Sequence, residues 1–395
     1  MYSKPSSFFE KFLLRLLLCF LFSTHSLSAD LHSYLYGTGL PIISITPFHT
    51  NGATNCSYCL LETNEGKYFV KTGEKVGKEI NNIIFLEKNS VTCIPRLAKG
   101  TSFENEIMIT EFIPNSDHGF KMINDFHSGK ISSKSFLKFQ SNALNLLQEF
   151  YRIPEFAKVN MDPGVFTGRI NQRIQDLLLD QDKIVVKGDE EDLTLRLLLN
   201  TPILYCSKNN THHLPSLLEI ADEVNAMLRE LPPLKKHVLH GDFHAPNICM
   251  NENKELVLVD LSDVMLLEEP AWDLGKWLNH FTRLYRVVVS RGENQPDLEI
   301  SFSFIDSTIV IEDYHQELSL EKIRREAVSQ FANMVAVDRD LMDVKTSAAE
   351  FIVNLSTLRR HMMRFPHSTR GVLACIADSY LEFKKRFHFY KKMTE

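Results

Sequence analysis

Residues 237–263, HVLHGDFHAPNICMNENKELVLVDLSD, set His240, Asp242, His244, Asn247, Asp260 and Asp263 between two short apolar runs. Side chains of these types serve metal, acid–base or phosphoryl chemistry, and a solvated hairpin is the plain alternative. His240 and His244 are four apart, the spacing by which two imidazoles share a helical face around zinc. Gly241 lies between them, Pro246 follows, and glycine stands where a zinc hydrolase needs its glutamate, so the helix premise fails. Phosphoryl transfer asks for a carboxylate to orient a hydroxyl, oxygen ligands for Mg²⁺ and a cation for the phosphates. Asp242 and Asn247 stand as D-x-x-x-x-N, so one loop presents a base and a metal ligand. The apolar run 256–259 ends on Asp260, and a hairpin turning at 251–255 brings this second metal ligand back beside Asn247.

These residues need a scaffold. Residues 41–71 read as an antiparallel meander, with turns at NGATN and TNEGK between β-rich runs. VGKEINNIIFLEK (76–88) has helical spacing, and EIMITEFIP (106–114) is a strand closed by Pro114. Beyond residue 116 the texture turns helical. FLKFQSNALNLLQEFY (136–151), LPSLLEIADEVNAMLREL (214–231) and AWDLGKWLNHF (271–281) are helices, and 317–395 reads as almost wholly helical. LHSYLYG (31–37) is expected to lead into the first strand. The order predicts a small β-rich lobe over 30–115, then a larger, mainly helical lobe over 116–395.

HGDFHAPN, LVDLSD and EPAWDLG, in this order and spacing, resemble the aminoglycoside phosphotransferase and choline kinase superfamily, a branch of the protein-kinase-like fold. The resemblance covers roughly residues 31–290 and is strongest at 237–280. It implies an α+β, bilobal protein-kinase-like fold, and a phosphotransferase that uses ATP and Mg²⁺ on an alcohol group. It implies Asp242 as catalytic base and Asn247 with Asp260 as Mg²⁺ ligands. His240 and Asp273 would be supports, Asp273 holding the catalytic-loop backbone from the following helix. Asp263 falls where many members carry a second acid, and a structural role is the alternative. Gly52, Thr54 and Asn55 resemble the family's phosphate-covering turn, which is otherwise an ordinary hairpin. Lys71 sits where the family has its phosphate-binding cation, with Glu79 as its partner and Glu87 as the rival. In ITEFIP, the Thr110 carbonyl and the Phe112 N–H would meet the adenine edge.

Composition bounds the alternatives. The 395 residues, 44% hydrophobic and 24% charged, suffice for two packed lobes. With 44 Lys and Arg against 50 Asp and Glu, the net charge of −6 lacks a general nucleic-acid footprint. Seven cysteines suggest no disulfide framework, and Cys56 and Cys59, three apart in a strand, face opposite sides. Residues 1–29 combine Lys4, Lys11 and Arg15 with an apolar run and small residues. That is the pattern of a secretory signal or a membrane-associating segment, the one part of the chain expected to touch a membrane. It sits awkwardly with reduced thiols and an ATP requirement, so localisation stays open.

Three further functions compete with a small-molecule kinase: a protein kinase, a nucleotide-binding pseudokinase, and an exported binding protein. No glycine completes D-F-G after Asp260 and no A-P-E-like segment follows, which counts against the first. Asp242, Asn247, Asp260 and Lys71 are all present, which counts against the second. The acidic run Asp242, Asp260, Asp263, Glu268, Glu269 and Asp273, with Phe243, Trp272, Trp277 and Phe281, leads to the expectation of an amine-bearing acceptor. The plain alternative is that the glutamates are solvated and the tryptophans are core.

Overall fold

The computed structural model describes residues 29–47, 56–74, 76–153, 165–186, 192–207, 210–261, 264–289, 300–313 and 320–395. The expectations for 1–28, for Gly52, Thr54 and Asn55, and for Asp263 lie outside them. The chain forms two compact units, one of residues up to 84 with 95–112, the other of 85–94 with 113–395.

The first unit opens with helix α1 (Ala29–Gly37). This corrects the expectation of a lead-in to a strand. Leu31 and Leu35, four apart, both enter the core, which is helical spacing over too short a run to announce itself. Strands β1 (Ile42–Pro47), β2 (Cys56–Thr63), β3 (Gly66–Gly73) and β4 (Ile107–Glu111) form one antiparallel sheet in chain order. Alternation in β2 puts Cys59, Leu61 and Thr63 inside, with Cys56 half-buried, so the two cysteines do part to opposite sides. Cys59, Leu61, Val70, Ile107 and Ile109 pack with Leu31, Leu35 and Leu40. Helix α2 (Val76–Lys88) follows β3 and buries Val76, Ile80 and Ile83.

The second unit is mainly helical. Helix α3 (His118–His127) is followed by α4 (Ser133–Tyr151), capped by Ser132 on the Ser135 amide. Phe136, Phe139, Ala143, Leu144, Leu147 and Phe150 make the buried stripe of α4. Helix α5 (Val165–Leu179) precedes strands β5 (Ile203–Ser207) and β6 (Thr211–Leu214). Helix α6 (Leu217–Arg229) then starts at a full capping box between Ser216 and Glu219. Its start lies three residues later than the apolar pattern suggested, because Leu214 closes β6 instead.

Three short strands frame the polar loop: β7 (His237–Leu239), β8 (Ile248–Met250) and β9 (Leu256–Leu258). Strand β10 (Met265–Glu268) pairs antiparallel with β7 and hands over to helix α7 (Ala271–Thr282). Strands β11 (Ile300–Ile305) and β12 (Thr308–Asp313) form a hairpin, and β12 runs parallel to β5. The resulting sheet, β11-β12-β5-β6, is an element that the sequence reading missed. Helices α8 (Glu321–Val335), α9 (Arg339–Arg364) and α10 (Thr369–Thr394) complete the chain. No helix among the described residues is long and apolar enough to cross a membrane.

Candidate active site

The polar loop begins where β7 ends. His240 is fully buried, and its imidazole bridges two backbone segments. Nδ1 accepts the Asp242 amide at 3.3 Å, which leaves Nε2 to donate to the Val259 carbonyl at 3.1 Å. Burial pushes its pKa down to about 4, so the ring is a neutral strut. Gly241 next adopts φ +81°, a left-handed conformation that glycine accepts without cost.

Asp273, on the first turn of α7, holds this bend. Its Oδ2 accepts the His240 amide at 3.0 Å and the Tyr151 hydroxyl at 3.1 Å, and its Oδ1 accepts the Gly241 amide at 2.9 Å. The Trp272 indole N–H donates to the Gly241 carbonyl at 2.9 Å. Asp273 is fully buried, and burial raises its carboxyl to about 6 against the pull of those hydrogen bonds. The bend is therefore clamped from both faces by consecutive residues of one helix.

Asp242 emerges from the clamp partly exposed. The Lys276 ammonium lies 2.5 Å from its Oδ1, and His244 Nε2 lies 3.1 Å from its Oδ2. Burial works to raise this carboxyl, but the charges and hydrogen bonds of His244 and Lys276 outweigh it. They hold Asp242 well below the usual carboxylate range. His244 stacks on His280 of α7, with ring centroids 5.1 Å apart.

A 3₁₀ turn, Ala245–Asn247, carries the chain on. Asn247 Nδ2 donates to the Asp242 carbonyl at 2.9 Å and is 3.3 Å from Asp242 Oδ2, which turns its Oδ1 toward other partners. Strands β8 and β9 pair Ile248 with Leu258, and the Val259 amide donates to the Asn247 carbonyl at 3.0 Å. That register returns Asp260 to the neighbourhood of Asn247, as the hairpin expectation required. Asp260 is exposed and sits at φ +58°, a left-handed bend that ends the strand's course at the carboxylate. Two oxygen donors so placed fit a hard cation such as Mg²⁺ better than zinc.

In the first unit, Lys71 Nζ lies 2.6 Å from Glu79 Oε2, and both residues are buried. The sheet thus pairs Lys71 with the glutamate expected for it. The adenine-edge expectation needs correction. The Phe112 amide already donates to the Lys67 carbonyl at 3.1 Å. Hydrogen-bonded pairs alternate along an antiparallel ladder, so the Phe69–Thr110 pair also turns its polar groups into the sheet. Glu111, at the intervening position, turns its carbonyl away from β3.

Three of the six acids in the expected acidic run have cations beside them. Glu268 pairs with Arg169 at 3.1 Å, Glu269 with Lys345 at 3.0 Å, and Asp242 with Lys276. Phe243, Trp277 and Phe281 are core residues, and the buried Trp272 ring already faces Arg169 at 4.3 Å and Lys276 at 5.4 Å. Sequence reasoning missed Lys276. Its signal was its place one helical turn after Asp273, which puts both on one face of α7.

Residues 202–295 match the family model described as phosphotransferase enzyme family. No curated protein sequence matches the chain. Among solved structures, Plasmodium vivax ethanolamine kinase aligns over 93% of this chain and 94% of its own, at 12% identity and a TM-score of 0.51. A glucosamine kinase aligns over 86% of this chain and 79% of its own, at 13% identity and a TM-score of 0.50. The segment that holds Asp242, Asn247, Asp260 and Asp273 thus matches the phosphotransferase enzyme family, and the chain around it has the bilobal kinase-like fold of ethanolamine and glucosamine kinases.

Proposed function

We propose that this protein transfers the γ-phosphate of ATP to a hydroxyl group of a small molecule. The observation that carries this reading is the loop itself. A partly exposed carboxylate, Asp242, stands on a bend clamped by Asp273, with Asn247 and Asp260 brought together by the β8–β9 hairpin.

Asn247 Oδ1 and the Asp260 carboxylate would hold Mg²⁺, which when bound neutralises phosphate charge. Asp242 orients the acceptor hydroxyl and takes its proton late in transfer. Its two oxygens already bond Lys276 and His244, but a carboxylate has about four acceptor sites, so capacity remains for the hydroxyl. Lys71, held by Glu79, is the phosphate-binding cation of the first unit. Gly52, Thr54 and Asn55 remain the proposed phosphate-covering turn, and Asp263 a proposed second acid or a structural residue.

The test is ADP release by the full chain with Mg²⁺–ATP, against amino alcohols, aminoglycosides, sugars, nucleosides and generic proteins. Turnover with a small hydroxyl compound, lost on removal of Mg²⁺, is the expected result. Turnover with protein alone, or ADP release that persists undiminished in Asp242→Asn, overturns the reading.

A further inference from the structure

We propose that Lys276 and His280 are positioning residues for Asp242, and that one face of α7 is the template on which the loop from His240 to His244 is set. This rests on the phosphotransferase reading and deepens it.

Four side chains of α7 meet the loop in order. The Trp272 indole N–H donates to the Gly241 carbonyl at 2.9 Å, and the Asp273 carboxylate accepts the His240 and Gly241 amides. Further along the helix, Lys276 Nζ lies 2.5 Å from Asp242 Oδ1. One turn beyond that, the His280 ring stacks on His244, with centroids 5.1 Å apart and planes 14° from parallel. At roughly 3.6 residues per turn, positions 272, 273, 276 and 280 fall within about 100° of arc, so a single helical face supplies all four. Trp272 and Asp273 fix the backbone of the bend. Lys276 and His280 are left to act on side chains.

Both of these act on the same carboxylate, one through each oxygen. Lys276 takes Oδ1 directly. His280 backs His244, whose Nε2 lies 3.1 Å from Oδ2. The terminal torsion of an aspartate is broad, so a carboxylate on a partly exposed loop has no fixed plane of its own. Contacts at both oxygens supply one before an acceptor arrives. The two arms are themselves restrained. The Lys276 side chain is 16% exposed and its ammonium lies 5.4 Å from the centre of the Trp272 ring, while His280 is buried. A base held this way needs no ordering at the moment of transfer, and a displacement of about 1 Å can cost about 10²-fold in rate.

The test is a pair of double-mutant cycles on the full chain. ADP release per folded molecule is read with Mg²⁺–ATP and the fastest hydroxyl acceptor among the amino alcohols, aminoglycosides, sugars and nucleosides. Lys276→Met keeps the length and loses the charge, so kcat is expected to fall about 10- to 100-fold, with KM for ATP within about twofold of wild type. His280→Ala should lower kcat about fivefold, and His280→Phe, which restores a flat ring behind His244, should recover most of that loss. In an Asp242→Asn background neither Lys276→Met nor His280→Ala should lower kcat by more than about twofold further, because both act through the carboxylate. A merely structural residue would lower the folded fraction and leave these ratios alone. The proposal is overturned if kcat per folded molecule is unchanged in Lys276→Met or His280→Ala, if His280→Phe is as slow as His280→Ala, or if the effects multiply with that of Asp242→Asn. The phosphotransferase reading fails separately, by absence of ADP release from wild type or by its undiminished persistence in Asp242→Asn.

Discussion

Two carboxylates thirty-one residues apart do opposite jobs because their surroundings differ. Asp242 is held ionised by Lys276 and His244, as the proposed base must be when it meets a hydroxyl. Asp242→Asn keeps the size and loses the charge, so kcat should fall by about 10²–10⁴-fold while Mg²⁺–ATP affinity is retained. Stopped turnover assays beside nucleotide calorimetry check this, and a variant with most of its kcat would reduce Asp242 to a structural residue. Asp273 is buried and its carboxyl is raised to about 6, so the folded state binds its proton more tightly than the unfolded chain does. Stability from that proton is complete below about pH 4 and is lost as pH rises through about 6. Asp273→Asn removes the titration and gives one of two backbone amides a donor where it had an acceptor, a loss of about 1–3 kcal/mol. Wild type should therefore be the more stable at pH 4, and its advantage should narrow toward pH 7. Denaturant melts across that range would show a constant or widening gap if the argument is wrong.

At the scale of elements, the loop is fixed by what lies under it. Helix α3 passes so close that a Cβ on Gly119 would lie 2.2 Å from the Ala245 carbonyl oxygen, at the start of the turn that carries Asn247. No rotamer relieves a clash with backbone, so either α3 or the 3₁₀ turn must shift. Gly119→Ala should cost about 1–3 kcal/mol of stability. The displaced turn should also lower turnover per folded molecule. Thermal melts paired with activity normalised to folded protein separate the two effects. Unchanged activity in a destabilised variant would mean that α3 yields and the turn does not.

At the scale of the whole molecule, the second unit is tied by charge as well as by apolar packing. Glu350 of α9, almost fully buried, is gripped by Arg283 after α7 and by Arg324 of α8. Arg283 also reaches Asp378 of α10 at 2.6 Å, and Arg324 reaches Asp343 at 3.1 Å. Burial works against both guanidinium charges, and the surrounding carboxylates outweigh it. Glu350→Gln would leave two buried cations short of a counter-charge, so the loss should be large, about 3–5 kcal/mol. Chemical denaturation measures it. A change near zero would show that Asp343 and Asp378 suffice.

Local chemistry was legible in the sequence alone. The D-x-x-x-x-N loop, the aspartate at a strand end, the β-hairpin between them and the helix opened by Asp273 are all short-range patterns. Turns, strand alternation and helical spacing act within a dozen residues, and α2 and α4 follow them closely. What separated from the reading were features set by partners distant in the chain. Leu31 and Leu35 take helical geometry because the sheet accepts them from that side. The β11–β12 hairpin becomes half of a four-stranded sheet only by running parallel to β5, about a hundred residues earlier. Phe112 loses its amide to Lys67 because ladder register, which no residue type encodes, alternates the direction of backbone groups. Above all, the charge of the site was decided by tertiary structure. A count of Asp and Glu along 242–273 gives an acidic site, yet Arg169, Lys276 and Lys345 arrive from three helices to pair with Glu268, Asp242 and Glu269. Coulomb interaction depends on distance in space, and only the packed chain sets that distance.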